Sequence, residues 1–477
     1  MRLLGVRFDE DRSWTADRVM GEFIDRPGLY VHVPFCSSLC PFCPYNKVRY
    51  SSDLAAGYLE RLHRETERYL AARPGPFTSL YVGGGTPTLC LGGLEWLRDR
   101  VAVLGERAIE VLPTHMTPET ADRLESLDFD AVSIGVQSFQ AAALRHLARP
   151  TTVEDNRRAV ALARERFACV DVDLIFDVVY DAPGSFLCDL EEAFSYGVDQ
   201  VSTYPLMRFG YTPFGKAPHD ARTEHSLLGQ ATRLAERRGY RRASVWSFVR
   251  RDGRPYSSIT RPYYLGVGAG ASTFTGRAFL VNHFGLRPYM SAVDAGRTPI
   301  ARVGHLGPTR AAVFRAFWQV YTGTLPRDGD PLLRHPAVRS CAAAARVAGW
   351  FTGEGTMRLT PSGYERYHDL ERWVTYRLIE PLWEDLMTEH RPETEEGSEH
   401  RPETSDDLGR SSVSVAPRRG GGPTGPRQER HDRHHAEDRE VQHDLGELLQ
   451  PRPREPVDEA VDEVGHDTPP GTVGATS

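Results

Sequence analysis

Apolar, β-branched runs recur through the first half of the chain, and stretches with helical spacing separate them. The runs are LYVHVPF (29–35), SLYVGGG (79–85), AIEVLP (108–113), AVSIGVQ (131–137), VDVDLIF (170–176) and QVSTYPL (200–206). Between them, LAAGYLERLHRETERYLAAR and VEDNRRAVALARERF place apolar residues three and four positions apart, the spacing of one helix face. Strands alternating with amphipathic helices predict a parallel sheet with crossover helices. Six such units predict an α/β core, a partial (β/α)6 barrel over residues 29–300 behind a lead-in of 1–28. Ligands of such sheets lie at the carboxyl ends of the strands. From 306 to 388 the pattern turns helical. Val313, Phe314, Phe317, Trp318 and Tyr321 fall on one face, and Tyr367, Leu370, Trp373, Val374 and Leu378 on another. These stripes read as core and predict a small C-terminal helical domain of winged-helix-like type.

The pattern then stops. Residues 389–477 hold no Phe, Trp, Tyr, Ile, Met or Cys, but seven of the 17 histidines, and HRPET occurs twice. Such a segment cannot bury enough apolar surface to offset its ordering entropy and is expected to be a disordered tail. His431, His434 and His435 read there as solvated side chains rather than as a metal site.

Charge narrows the function classes. Lys and Arg number 58 against 65 Asp and Glu, a net charge of −7. That balance gives no basic surplus for a phosphate backbone, so nucleic acid is not an expected partner. No stretch approaches 18 consecutive apolar residues, so no membrane span is expected. The charged N-terminus lacks a signal-peptide pattern. A cytoplasmic location is the expectation. Seven cysteines form an odd, clustered set, which fits a reducing compartment with one metal or redox site better than a disulfide framework.

Three of those cysteines, Cys36, Cys40 and Cys43, follow the first strand as CSSLCPFC. A structural zinc site or an ordinary iron–sulfur cluster takes four protein ligands. Three thiolates on a [4Fe–4S] cluster leave one iron open, where the amino and carboxylate groups of S-adenosylmethionine can chelate. One electron then splits the sulfonium and yields a 5′-deoxyadenosyl radical, with the protein positioning the cofactor. The alternatives are zinc with a distant fourth ligand, and coincidence. Further polar residues stand at successive strand ends. GGGTP (83–87) closes strand two, Glu110 strand three and Gln137 strand four, while Asp173 lies in strand five. Each could hydrogen-bond an ammonium or a ribose, and Arg149 could pair with a carboxylate.

LYVHVPFCSSLCPFC, LYVGGGTPT, VSIGVQSF, VDLIF, YPL and YLGVGAGAS, in that order, resemble the radical S-adenosylmethionine family of oxygen-independent coproporphyrinogen III dehydrogenase. That family includes the haem chaperone and the class C radical methyltransferases. The resemblance covers roughly residues 28–300 and, more weakly, to 388. It implies a [4Fe–4S] cluster on Cys36, Cys40 and Cys43 and two S-adenosylmethionine sites. Tyr30, Gly84, Glu110 and Ser272 would meet the first nucleotide. Phe42, Gly85, Thr86, Gln137, Arg149, Asp173 and Pro205 would line the second. His32 matches a family histidine near the cluster.

The departures from the family bear on the reaction. Where the dehydrogenase carries a fourth cysteine before Asn-Lys, this chain has Tyr45, then Asn46 and Lys47. The chaperone's Asp-Phe after the third cysteine is absent. Asp177-Val178-Val179-Tyr180 replaces Gly-Leu-Pro-Gly, and Leu112 replaces the polar residue before Pro113. These changes, with YSSITRP (256–262) and FLVNHFG (279–285), resemble the methyltransferase branch of specialised metabolism. They point to C-methylation or cyclopropanation of a small-molecule substrate with a second S-adenosylmethionine. Tyr45, Tyr180, His283 and Arg208 are the candidate substrate contacts. The rival expectations are a haem chaperone, a coproporphyrinogen dehydrogenase with a substituted cysteine, and a zinc-stapled structural protein. No flavin or second cluster motif is visible, so a flavodoxin or ferredoxin is the expected electron donor.

Overall fold

The computed structural model describes residues 2–3, 6–73, 75–176, 184–215, 221–256 and 261–388. All six predicted strands form: β1 (Gly28–Val33), β2 (Leu80–Gly84), β3 (Arg107–Val111), β4 (Ala131–Gln137), β5 (Cys169–Phe176) and β6 (Gln200–Pro205). They lie side by side in chain order, each parallel to the next. A further parallel strand, Tyr264–Val267, pairs with the outer edge of β1. Beyond it the sheet continues antiparallel through Ser272–Phe274, Ala278–Asn282, Ile300–His305 and Val6–Asp9. At the other edge, Ser247–Arg250 pairs antiparallel with β6. These strands extend the parallel core into one α/β sheet with antiparallel edges. The pairing order runs edge to edge without the two ends meeting, as in a partial barrel.

Strand alternation gives the parallel strands two unlike faces. Val31, Val33, Val82, Ile109, Val132, Ile134, Val170, Val172 and Val201 are fully buried in the main core. The alternate positions point into the barrel and carry Tyr30, His32, Tyr81, Glu110, Ser133, Asp171, Asp173, Ser202 and Tyr204. The long helix Ser52–Ala72 packs on the outer side through Ala55, Tyr58, Leu59, Leu62 and Tyr69, a helical stripe. Helix Val153–Arg166 opens on a capping box between Thr152 and Asp155, which satisfies two backbone donors left over at a helix start.

Residues 306–388 are not helical throughout. Helices Pro308–Tyr321, Pro336–Val347 and Pro361–Val374 accompany a three-stranded sheet of Thr324–Pro326, Thr356–Leu359 and Phe351–Thr352. The third helix runs on through a π-helical turn, Thr375–Ile379, into Glu380–Thr388. Its most buried residues include Tyr367, His368, Glu371 and Arg372, so the predicted aromatic stripe is only partly the inner face. The physical reason is a polar partner 144 residues earlier: Glu224 accepts from His368 Nε2 at 2.7 Å and from Arg372 at 2.9 Å. Trp246 Nε1 donates to His368 Nδ1 at 2.9 Å. A closed set of partners lets charged groups enter a core. The tail, 389–477, lies outside the described residues, as does Tyr180.

Candidate active site

The cysteine loop leaves the carboxyl end of β1. Phe35 and Cys36 pair with Val48 and Arg49, which pins both ends of the loop. Cys43 N–H donates to Cys40 O at 3.3 Å, and Lys47 Nζ donates to Cys43 O. Asn46 ties the loop to the far side of β1 by donating to Ala269 O at 3.1 Å and Phe284 O at 2.9 Å. All three thiols are free. Burial pushes the Cys36 thiol up to about 11, and the Thr86 hydroxyl bonded to it opposes this. Cys43 is likewise raised by burial. Arg149, anchored on Gly135 O at 2.7 Å, points a second nitrogen at Cys40 Sγ, 3.5 Å away.

Thiols raised by burial, as Cys36 and Cys43 are, need a metal or a cation to ionise them. Among the described residues, no three His, Cys, Asp or Glu side chains are grouped closely enough to hold a single metal ion. Three unpaired thiols spread over one pinned loop fit a polynuclear cluster, which takes one thiolate per iron, better than one zinc ion.

The glycine run ends β2 beside this loop. Gly84 has a φ of +118°, and a Cβ there would meet the His32 ring at 2.6 Å. A Cβ on Gly85 would meet Phe35 O at 2.6 Å, and one on Gly83 would meet Glu110 Oε1 at 2.7 Å. The glycines therefore serve first to bring β2 against β1, the cysteine loop and Glu110. Glu110 accepts from Gly84 N–H at 3.0 Å and from the Tyr81 hydroxyl at 2.6 Å. Burial pushes its carboxyl up to about 7. His32 bonds the Tyr30 hydroxyl through Nδ1 at 2.8 Å and Asn46 O through Nε2 at 3.1 Å. Its Nε2 is therefore the protonated nitrogen, since a carbonyl only accepts. Burial holds the ring down to about 4, so it is neutral.

Deeper in the barrel the Ser133 hydroxyl donates to Asp173 at 2.6 Å, and burial pushes that acid up to about 6. Asp171 accepts from Ser202 at 2.8 Å and Gln200 at 3.2 Å. Burial, then the charge of Asp173, raise it further. Below them the rings of Tyr81 and Tyr256 meet at a tilt, 5.7 Å apart, and pack with Ala108, Ala131 and Cys169.

Tyr45 is 56% exposed, yet the surrounding protein, and then the charges of Cys43, Glu110, Asp173 and Glu371, raise its phenol. Tyr45 lies on the cysteine loop beyond the carboxyl end of β1, where the inner-face side chains of the strands enclose the chamber. Trp383 of the last helix faces Tyr45 at 5.7 Å and stacks on Phe209 at 6.0 Å. The Arg208 N–H donates to the Tyr376 hydroxyl at 2.9 Å. The C-terminal helix therefore roofs the mouth between β6 and the cysteine loop.

Most predicted positions gather here. Tyr30, Glu110 and Asp173 line the barrel. Phe42 packs with Cys40, Leu147 and Leu206, directly after Pro205 at the end of β6. Gln137 ends β4 in a left-handed conformation, φ +68°. Arg208 and Tyr45 stand at the mouth. Ser272 is apart: it lies in the antiparallel strand beyond Tyr264–Val267, with its hydroxyl on the Tyr264 phenol. His283 is tied by its carbonyl to Gly270 N–H and by its N–H to Pro299 O, both at 2.9 Å. Tyr81, Ser133, Asp171, Tyr204 and Glu371 were not foreseen. Period-two alternation in the strands was the available signal for the first four.

Comparison with known proteins agrees with this layout. Residues 30–183 match the family model described as the radical SAM superfamily. The chain is 28% identical over 315 residues to the oxygen-independent coproporphyrinogen III oxidase of Pseudomonas aeruginosa, covering 58% of this chain and 68% of that one. It is 26% identical over 288 residues to the heme chaperone HemW of Bacillus subtilis, covering 55% and 75%. The solved coproporphyrinogen III oxidase of Escherichia coli superposes with a TM-score of 0.64 at 22% identity, over 76% of this chain and 93% of that one, a likeness of fold. Among the described residues no helix is long and apolar enough to cross a membrane. What the chain shares with the radical SAM superfamily is thus the region 30–183, which holds β1 to β5 and the loop with the free thiols Cys36, Cys40 and Cys43.

Proposed function

We propose that this chain cleaves S-adenosylmethionine reductively and uses the resulting radical to take hydrogen from a substrate in the tyrosine-walled chamber. The observation that carries the reading is the cysteine loop itself: three thiols without a fourth, opening on a buried carboxyl and a glycine-built strand end. A [4Fe–4S] cluster bound there supplies the electron that breaks the S–C5′ bond. Cys36, Cys40 and Cys43 would hold it, and Arg149 would offset thiolate charge at Cys40. Glu110, with Tyr30 close by, offers a carboxyl to the nucleotide's ammonium. The roof of Tyr376 and Trp383 screens the chamber from bulk water, which a carbon radical requires.

The names of the relatives favour oxidation of a coproporphyrinogen-like tetrapyrrole, or haem handling, as the use of that chemistry. Methyl transfer or cyclopropanation with a second S-adenosylmethionine is the second reading. Tyr45 favours it: an accessible phenol stands where the dehydrogenase has a further thiol. The experiment is anaerobic turnover with S-adenosylmethionine carrying a deuterated methyl group. Deuterium in 5′-deoxyadenosine supports methyl activation. 5′-Deoxyadenosine without deuterium, with a porphyrin oxidised or a haem Soret band, supports the first use. No 5′-deoxyadenosine at all overturns the proposal. Dithionite supplies the electrons in this assay, and a flavodoxin or ferredoxin, the proposed donor, is then put in its place.

A further inference from the structure

Five large hydrophobic side chains are exposed among the described residues: Leu39, Tyr45, Tyr50, Leu104 and Val347. Three of the five stand on residues 36–50, the stretch that holds the cysteine loop. Exposed apolar groups gathered in one place mark an interaction surface. Tyr45 is accounted for, since it meets Trp383 at the chamber mouth. Leu39, between Cys36 and Cys40, and Tyr50 are not.

Tyr50 opens a cleft of about 470 Å³. Helix Ser52–Ala72 forms one wall through Ala56 and Leu59, and the 3-10 turn Pro87–Gly93 forms the other through Leu89. Both walls begin at Cys36. The Tyr50 N–H, two residues before the helix, donates to Cys36 O at 2.9 Å. The Thr86 hydroxyl, one residue before the turn, bonds the Cys36 thiol. The cleft therefore leads to Cys36 along the outer side of the sheet, where that helix packs. The chamber reaches the cysteine loop from the inner side, where Tyr30, Glu110 and Asp173 point.

Arg49 stands at the same end of the cleft, next to Tyr50. It is exposed, its Nη1 donates to Ser37 O at 3.3 Å, and it joins no ion pair among the described residues. The nearby acids have partners. Glu60, which lines the cleft, has Arg64 at 3.9 Å. Asp53 accepts from the Ser52 hydroxyl at 3.3 Å in the first turn of its helix, where an acid complements the helix's amino end. A carboxylate arriving from solvent meets an unpaired guanidinium beside an apolar wall.

We propose that an acidic one-electron carrier protein docks on this cleft and on Arg49, and that its electron enters at Cys36. The carrier loses one electron, and the [4Fe–4S] cluster that the three cysteines would hold gains it; no bond forms or breaks in that step. Electron and substrate then reach the cysteine loop from opposite sides, so the chamber stays roofed while the electron arrives. This rests on the reading of the chain as one that cleaves S-adenosylmethionine reductively.

The probe is a flavodoxin, an acidic carrier. The readout is its Kd for the full chain reconstituted with iron and sulfide, measured by biolayer interferometry at low and at raised salt. The unsubstituted chain should bind it, and more weakly at raised salt. Arg49→Glu should raise Kd about tenfold, and so should Ala56→Glu, at an exposed position in the cleft. Arg346→Glu makes the charge change of Arg49→Glu on helix Pro336–Val347 and should leave Kd unchanged. No binding by the unsubstituted chain, an unchanged Kd in Arg49→Glu or Ala56→Glu, or an equal rise in Arg346→Glu overturns the proposal. Should Arg49→Glu lose its iron, Ala56→Glu decides alone. 5′-Deoxyadenosine formation driven by dithionite is followed in parallel. Its absence with the binding pattern intact refutes the radical reading and not the docking surface. Its presence without that pattern refutes the surface alone.

Discussion

Glu371, 5% exposed on helix Pro361–Val374 and with its Oε2 buried without a hydrogen-bond partner, makes a stability prediction. Burial raises its carboxyl from the ordinary 4.5 to about 7. Between those values the folded chain keeps a proton that the unfolded chain releases. The stabilisation is complete below about pH 4.5 and is lost as pH rises through 7. Two and a half pH units correspond to about 3 kcal/mol. A neutral amide of the same shape does not titrate, so Glu371→Gln removes that slope. Urea unfolding of both proteins, in one cofactor state, should show the variant gaining about 3 kcal/mol on its parent between about pH 5 and about pH 8. Other titrating groups are common to both proteins and cancel in the difference. A gap between the two proteins that is the same at both pH values would mean that Glu371 is ionised throughout. An ionised Glu371 must have a partner, and the reading of it as a buried, unpaired acid would fall.

Cys40→Ala should abolish the cluster, read as loss of iron, sulfide and colour, together with all S-adenosylmethionine cleavage; retained cleavage refutes the loop assignment. Gly85→Ala drives a methyl group against Phe35 O, where only backbone can yield. It should cost about 1–3 kcal/mol and lower iron retention, with unchanged iron content and urea midpoint as the contrary result. Arg149→Met should keep the fold but weaken the hold on reduced iron, because Cys40 loses the cation 3.5 Å from its sulfur; redox titration should show a more negative potential. Glu224→Leu strands Arg372 in the core and should cost about 3–5 kcal/mol, while adding Arg372→Met should recover much of it. Purely additive losses would show that the two side chains are not coupled.

The strands were legible because each carries its own evidence. β1 to β6 are short apolar runs whose outer residues, such as Val31, Val132 and Val172, must be covered by the helices that follow them. The seventh parallel strand was hidden. Tyr264–Val267 has four residues, one a glycine, and its place beside β1 is set by pairing with Gly28 to Val31, which no local pattern encodes. The same holds for Val6–Asp9, which reaches the sheet only by pairing with Val303 and Gly304. The reading of 306–388 as helical missed strands of two to four residues: Thr324–Pro326 finds its partner only in Thr356–Leu359, and Phe351–Thr352, which pairs locally with the same strand, is too short to show alternation.

The site divides along a similar line. The cysteines, Glu110 and Asp173 are legible because strand ends and motif spacing announce them. Asp171 sits in the same strand as Asp173, two residues away on the same inner face, so alternation alone would have included it. Glu371 is different in kind. In sequence it is one acid among several on an amphipathic helix, where an acid is expected to face water. It becomes informative only because Glu224 satisfies the charged residues on either side of it and draws that face inward. The pairing that buries His368 and Arg372 thus also buries Glu371, whose Oε2 has no hydrogen-bond partner. In sequence the helix carries acids and bases alike along its length; only the fold shows that Glu224 draws His368 and Arg372 inward and that Glu371 is buried with them.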